Sequence, residues 1–163
     1  MEDRSEAGPG LTIREGRPAD DPFVVGLGAV AFARFGDYGP MMQEFLASGD
    51  VQSFVAEERG HRVGFALVDA PASHHGFADL VAIAVDSRHR RTGVGRALLD
   101  RVIASREALD EPSLIVLTVA EDNDAAIALF RSLGFEMVPG AIGRYAGGQT
   151  SRRMAKPVLP RRS

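Results

Sequence analysis

The chain contains no cysteine. That single absence excludes disulfides, thiolate metal sites and a cysteine nucleophile, so any acyl transfer it performs is direct or runs through another nucleophile. Lysine is almost as scarce: of the 19 basic residues only Lys156 is a lysine, and the rest are arginines. Excess positive charge is lacking as well. The formal net charge is −3, whereas a phosphate backbone rewards a clear positive surplus, so nucleic acid is not an expected partner. No apolar run is long enough to span a bilayer, and Met-Glu-Asp-Arg-Ser-Glu at the N-terminus lacks the basic-then-apolar order of a secretory signal. A cytoplasmic location without a membrane partner is the expectation. His74 and His75 stand side by side with no third ligand at useful spacing, so no metal site is expected.

What remains is an ordinary globular composition, 45% hydrophobic and 25% charged over 163 residues, enough for one domain with a real core. Residues 1–10 are polar and carry Gly8-Pro9-Gly10, which reads as a disordered leader, and residues 159–163 read as a tail. The domain is expected over 11–158. A short strand at 11–14 leads to a helix whose start is marked by Pro18 and Asp20 or Asp21. Its face is Phe23, Val24, Leu27, Val30 and Ala31, and Gly36 closes it. A second short helix is expected at 41–47. Strands at 52–57 and 62–69 make a hairpin around Arg59-Gly60-His61. Leu114 opens a second continuous apolar run, and Asn123 then caps a helix with Ala126, Leu129, Phe130 and Leu133 on one face, ended by Gly134. A closing hairpin turns at Gly147-Gly148.

The chain is organised around residues 79–107. An unbroken apolar run at 80–85 has strand length, a polar and basic loop follows, and Val94, Ala97, Leu98 and Val102 then recur at helical spacing. Gly93 and Gly95 fall where that helix begins. There the backbone can approach a ligand while the first amides, which have no partner within the helix, point outward. The helix dipole adds partial positive charge, and Arg88, Arg90 and Arg91 add full charges, which suits a pyrophosphate better than a lone carboxylate.

Arg90-x-x-Gly93-x-Gly95 after a strand ending in Ala84-Val85-Asp86 resembles the acetyl-CoA signature of the GCN5-related N-acetyltransferase (GNAT) family. Asn123 with Ala126, Leu129, Phe130 and Gly134-Phe135 is similar to that family's second half. The resemblance implies an α+β (mixed α/β) fold, with a central, mostly antiparallel sheet of about six to seven strands flanked by about four helices. It implies that the strands at Leu80 and Leu114 run parallel and splay apart, and that acetyl-CoA, the co-substrate, enters the gap like an added strand. The binding set it implies is Ile83, Ala84 and Val85 by backbone, then Arg90, Arg91, Thr92, Gly93, Val94, Gly95 and Arg96 at the pyrophosphate, with Asn123 and Phe130 at the pantetheine arm.

It further implies direct transfer to a primary amine of a small molecule or a protein. Asp79 stands where many members carry an acidic residue and is the candidate base, with Glu57 and Glu58 as second choices. Phe130 stands where the family often has tyrosine, and phenylalanine has no proton to give. Tyr145, one of two tyrosines, is the candidate acid in its place. The loops with Asp37-Tyr38 and His74-His75 are candidate acceptor-facing segments. Two other readings stay open: a noncatalytic acyl-CoA-binding sensor or interaction module, which the phenylalanine favours, and a dinucleotide-binding enzyme, which the long basic loop and Leu98 at the third glycine position disfavour. Either a monomer or a homodimer fits.

Overall fold

The structure, a computed structural model, describes residues 10–71 and 76–162. Residues 1–9 of the expected leader, and the pair His74 and His75, lie outside the described residues. The elements are β1 (Leu11–Glu15), α1 (Asp21–Ala31), α2 (Gly39–Ala47), β2 (Val51–Glu58), β3 (His61–Asp69), β4 (Phe77–Val85), α3 (Val94–Glu107), β5 (Ser113–Ala120), α4 (Asp124–Ser132), β6 (Glu136–Arg144) and β7 (Thr150–Val158). The strands form one sheet in the order β1-β2-β3-β4-β5-β7-β6, in which only the β4–β5 pair is parallel. Among the described residues this is the mixed, mostly antiparallel sheet with four α-helices that the family resemblance implies.

The two apolar runs are β4 and β5, and they sit mid-sheet because both of their faces are covered in part. On one face Leu98, Leu99 and Val102 of α3 and Ile127 and Phe130 of α4 pack with Ile115, Leu117 and Phe135. On the other face Val24 of α1 and Met42 of α2 cover Phe65, Leu67, Ala82 and Ala84. Each fully buried leucine, Leu98 and Leu99 among them, contributes about 1.5–3 kcal/mol by leaving water.

Several boundaries differ from expectation for identifiable reasons. The central strand begins at Phe77 rather than Leu80, so Asp79 lies inside it, facing Asp69 across β3 and Val116 across β5. Helix α1 ends at Ala31, well before Gly36, and Val30 is 77% exposed rather than buried. The helix turns its Val24–Gly28 side inward, and Gly28 takes Met42 so closely that a Cβ there would overlap the methionine. The β2–β3 turn narrows to Arg59 and Gly60, both at positive φ, and His61 opens β3.

Asp20 does not cap α1 with its side chain. Its buried carboxylate accepts hydrogen bonds from Arg14 at 2.8 and 2.9 Å, from Arg62 at 2.7 Å and from the Arg17 amide at 2.7 Å. The Arg14 contact above all, against the cost of burial, holds that carboxyl well below the usual range. Arg14 also reaches Glu57 at 2.7 Å, so one ionic cluster ties the start of α1 to β1, β2 and β3. Neither that cluster nor the glutamate in it was legible as structural from sequence.

Candidate active site

Between β4 and α3 the chain makes an anion cradle from local geometry. Asp86 caps a single turn over Ser87–His89 by accepting the Arg88 amide at 3.0 Å, and the Thr92 hydroxyl donates to the His89 carbonyl. Arg91 at φ 63° and Gly93 at φ 87° then bend the backbone into the helix. Gly93 is the N-cap of α3 and offers no side chain to its amides, and the first helical bond runs from Ala97 to Gly93. The amides of Val94, Gly95 and Arg96 therefore point out of the helix end without a partner in it. Gly95 is informative in another way. A Cβ there would meet nothing of the protein closer than Leu129 at 3.6 Å, so packing does not require glycine. Exposed Arg90 and Arg91 flank the cradle and have no ion-pair partner among the described residues. Free amides, a bare helix end and unpaired guanidiniums fit a pyrophosphate.

The second feature is a gap in the sheet. Pairing of β4 with β5 covers Phe77 to Leu80 against Leu114 to Leu117 and then stops, although both strands continue, to Val85 and to Ala120. Val81 marks the break: Leu67 pairs with Ala82 and Val68 with Leu80, which leaves Val81 as an extra residue in β4. Such a bulge increases twist and bends the strand away from its neighbour. Ile83, Ala84 and Val85 consequently keep β3 on one side and face the open gap on the other. A cleft opens at this point, lined by Val81 and Ile83 of β4, Thr118 and Ala120 of β5, and Asn123 and Phe130 of α4. Phe32, Phe35, Tyr38 and Met41 close it from the α1–α2 side, and Tyr145 closes it from the β6–β7 turn.

The model of the family described as "Acetyltransferase (GNAT) family" matches residues 22–135, well over half of the chain. The chain belongs to the GNAT acetyltransferase family. An N-alpha-acetyltransferase of Sulfurisphaera tokodaii is 32% identical over 127 residues, covering 71% of this chain and 74% of that protein. The N-alpha-acetyltransferase RimI of Mycobacterium tuberculosis is 37% identical over 103 residues, 61% of each chain. Among solved structures, the ribosomal-protein-S18-alanine N-acetyltransferase from Escherichia coli superposes with a TM-score of 0.75 at 26% identity, over 94% of this chain and 97% of that one. As a GNAT enzyme the chain uses acetyl-CoA as co-substrate and transfers the acetyl group to an amine. Acetyl-CoA supplies the acetyl group as a reactive thioester.

Seen as a GNAT site, the structure brings Asn123, Phe130 and Tyr145 to one cleft and leaves Asp79 two residues short of the bulge, outside the lining. Burial raises the Asp79 carboxyl above its usual value; Arg153 opposes the shift and Asp69 adds to it. Tyr145 stacks on Phe35 with ring centroids 4.5 Å apart, and burial above all pushes its phenol up to about 12. Asn123 accepts the Ala126 amide at 3.3 Å and so caps α4 while lining the cleft. Phe130 is buried and packs its edge on Phe135, with centroids 5.8 Å apart, so its ring serves the helix end as well as the cleft. Glu57 is engaged by Arg14, and Glu58 lies 3.2 Å from His89; neither lines the cleft. Phe35 and Tyr38 line it, whereas Asp37 of the same loop does not. Sequence reasoning missed Phe32 and Met41, whose place depends on how α1 and α2 turn over the sheet. No helix among the described residues is long and apolar enough to cross a membrane.

Proposed function

We propose that this enzyme works in the cytoplasm and acetylates the N-terminal amine of a polypeptide, with Asp79 as the proton acceptor and Tyr145 as the donor at the departing sulfur. The observation that carries this reading is the chemistry of the cleft walls. Phe32, Phe35, Tyr38 and Met41 oppose Val81 and Thr118, and among the described residues no lysine, arginine or carboxylate lines the cavity. Such walls disfavour a bound ammonium and favour a neutral amine, and they suit an uncharged first side chain. An α-amine, near pKa 7.7–8.0, sheds its proton at neutral pH far more readily than a lysine near 10.4. The names of the relatives point to the same acceptor class.

The proton path follows from two environments. A carboxyl raised by burial is a stronger base than an exposed one, and Asp79, lying outside the cleft lining, reaches the amine through water. A phenol near 12 stays protonated at neutral pH and always presents its O–H. Complete transfer to a thiolate with a pKa of about 8.5 is uphill, so Tyr145 acts as a hydrogen-bond donor to the sulfur as charge builds. Its position in the turn lets it do from β6–β7 what Phe130 cannot do from α4.

The test is a peptide series varied at its first residue and followed by CoA release. Peptides with a free N-terminus and an uncharged first residue should be acetylated, and formylating that terminus should abolish acetylation even when a lysine is present. Equal acetylation of the blocked, lysine-containing peptide, or a preference for small polyamines, would overturn the assignment.

A further inference from the structure

Tyr145 occupies a turn with no regular structure of its own, yet its ring is held against Phe35, far away in sequence, and three contacts hold it there. The Gly147 amide donates to the Phe35 carbonyl at 3.0 Å, and the Gln149 side-chain Nε2 donates to the Arg34 carbonyl at 2.7 Å. Within the turn, the Tyr145 amide donates to the Gln149 carbonyl at 2.9 Å, so a displacement at one end is felt at the other. The approach is tight. A Cβ on Gly147 would collide with the Arg34 carbonyl oxygen and with the Gln149 amide group, and a Cβ on Gly36 would come within 3.2 Å of Ala146. Glycine at 147 is thus required by space.

We propose that Gln149 is a positioning residue: its side-chain amide latches the β6–β7 turn to the α1–α2 loop and thereby fixes the Tyr145 ring at the mouth of the acceptor cleft. The residue does not line the cleft and acts through Tyr145. The latch closes the cleft wall between two segments that share no strand pairing, so the Gln149 and Gly147 hydrogen bonds and the Tyr145–Phe35 stack carry the alignment. Arg34 contributes only its carbonyl to the bond, and its guanidinium lies over the Phe35 ring, 4.4 Å from the centroid.

The catalytic part of this inference rests on the reading of Tyr145 as the donor; the positional part does not, and one experiment separates them. The chain has two tyrosines, so fluorotyrosine labelling gives two fluorine resonances, and Tyr145→Phe identifies which belongs to Tyr145. Gln149→Glu keeps shape but removes the donor; Gln149→Asn is a second variant should the first fold poorly, with circular dichroism and acetyl-CoA affinity as controls. The expected result is a shifted or broadened Tyr145 resonance, a several-fold loss of kcat with the KM for acetyl-CoA unchanged, and disappearance of that kcat loss in a Tyr145→Phe background. A Tyr145 resonance unmoved in a folded variant overturns the latch, as does a kcat loss of the same size with and without the Tyr145 hydroxyl. If Tyr145→Phe retains full turnover while Gln149→Glu still moves the resonance, the latch is supported and only the donor role falls.

Discussion

Gly93 and Gly95 are two positions apart and serve different ends. Gly93 stands at φ 87°, where an L-residue pays about 1–2 kcal/mol, so its substitution harms the fold whether or not a ligand is present. Gly95 lies in the first turn of α3 outside the left-handed region, and a Cβ there would make only ordinary van der Waals contact, with Leu129 at 3.6 Å and Val85 at 3.9 Å. Alanine is the better helix former by up to about 1 kcal/mol, so nothing in the protein alone explains the glycine. The expected pyrophosphate contact would explain it, because it calls for a close approach to that backbone. Gly95→Ala should therefore leave the melting temperature of the free protein unchanged or slightly raised, yet weaken acetyl-CoA binding by at least about tenfold, or 1.4 kcal/mol. Calorimetry and melting together decide it; unchanged affinity would remove the pyrophosphate from this turn. Arg91, a non-glycine at φ 63° in the same turn, holds backbone strain beside the free amides of α3.

At the scale of the element, α4 shows how much was legible. Asn123 at its start, the apolar face and Gly134 at its end are all local signals, and the structure realises each. Gly134 takes φ 94°, its amide bonds to Arg131, and the Phe135 amide reaches back to Phe130 at 3.1 Å in the paired pattern that ends helices. The positions of the strands, though not their ends, and the basic loop before α3 were readable for the same reason. What was not readable depends on contacts distant in sequence: the bulge at Val81, which exists only against β3, the rotation of α1 that exposes Val30, and the reach of Gln149 to Arg34. Asn123 joins both kinds, a local cap that also lines a long-range cleft. Asn123→Ala should cost about 1 kcal/mol from the lost cap in the free protein. The same substitution should cost more when acetyl-CoA is bound, which melting with and without the ligand measures. An equal drop in both states would confine Asn123 to capping.

At the scale of the whole molecule the sheet is two units, β1 to β4 and β5 to β7, joined edge to edge among the described residues along Phe77 to Leu80 and Leu114 to Leu117. Beyond that seam the edges of β4 and β5 are open, and open strand edges with few partners exchange their amides readily. A ligand inserted there would replace the missing strand pairing and link the two units, so its effect should be global as well as local. By mass action, acetyl-CoA at 100 times its dissociation constant stabilises the folded state by about 2.7 kcal/mol. For a domain of this size each kcal/mol moves the midpoint by roughly 2–4 °C, which gives a rise of roughly 5–11 °C. Hydrogen exchange should show where it acts. New protection is expected on the gap-facing edge at 83–85, around Asn123 and on the amides of Val94, Gly95 and Arg96, with little change in β1 or β2. Protection confined to the α3 turn would mean that only the phosphates are held and the gap is not the pantetheine channel. Protection spread evenly over the sheet would mean that the seam, not the open edge, limits exchange.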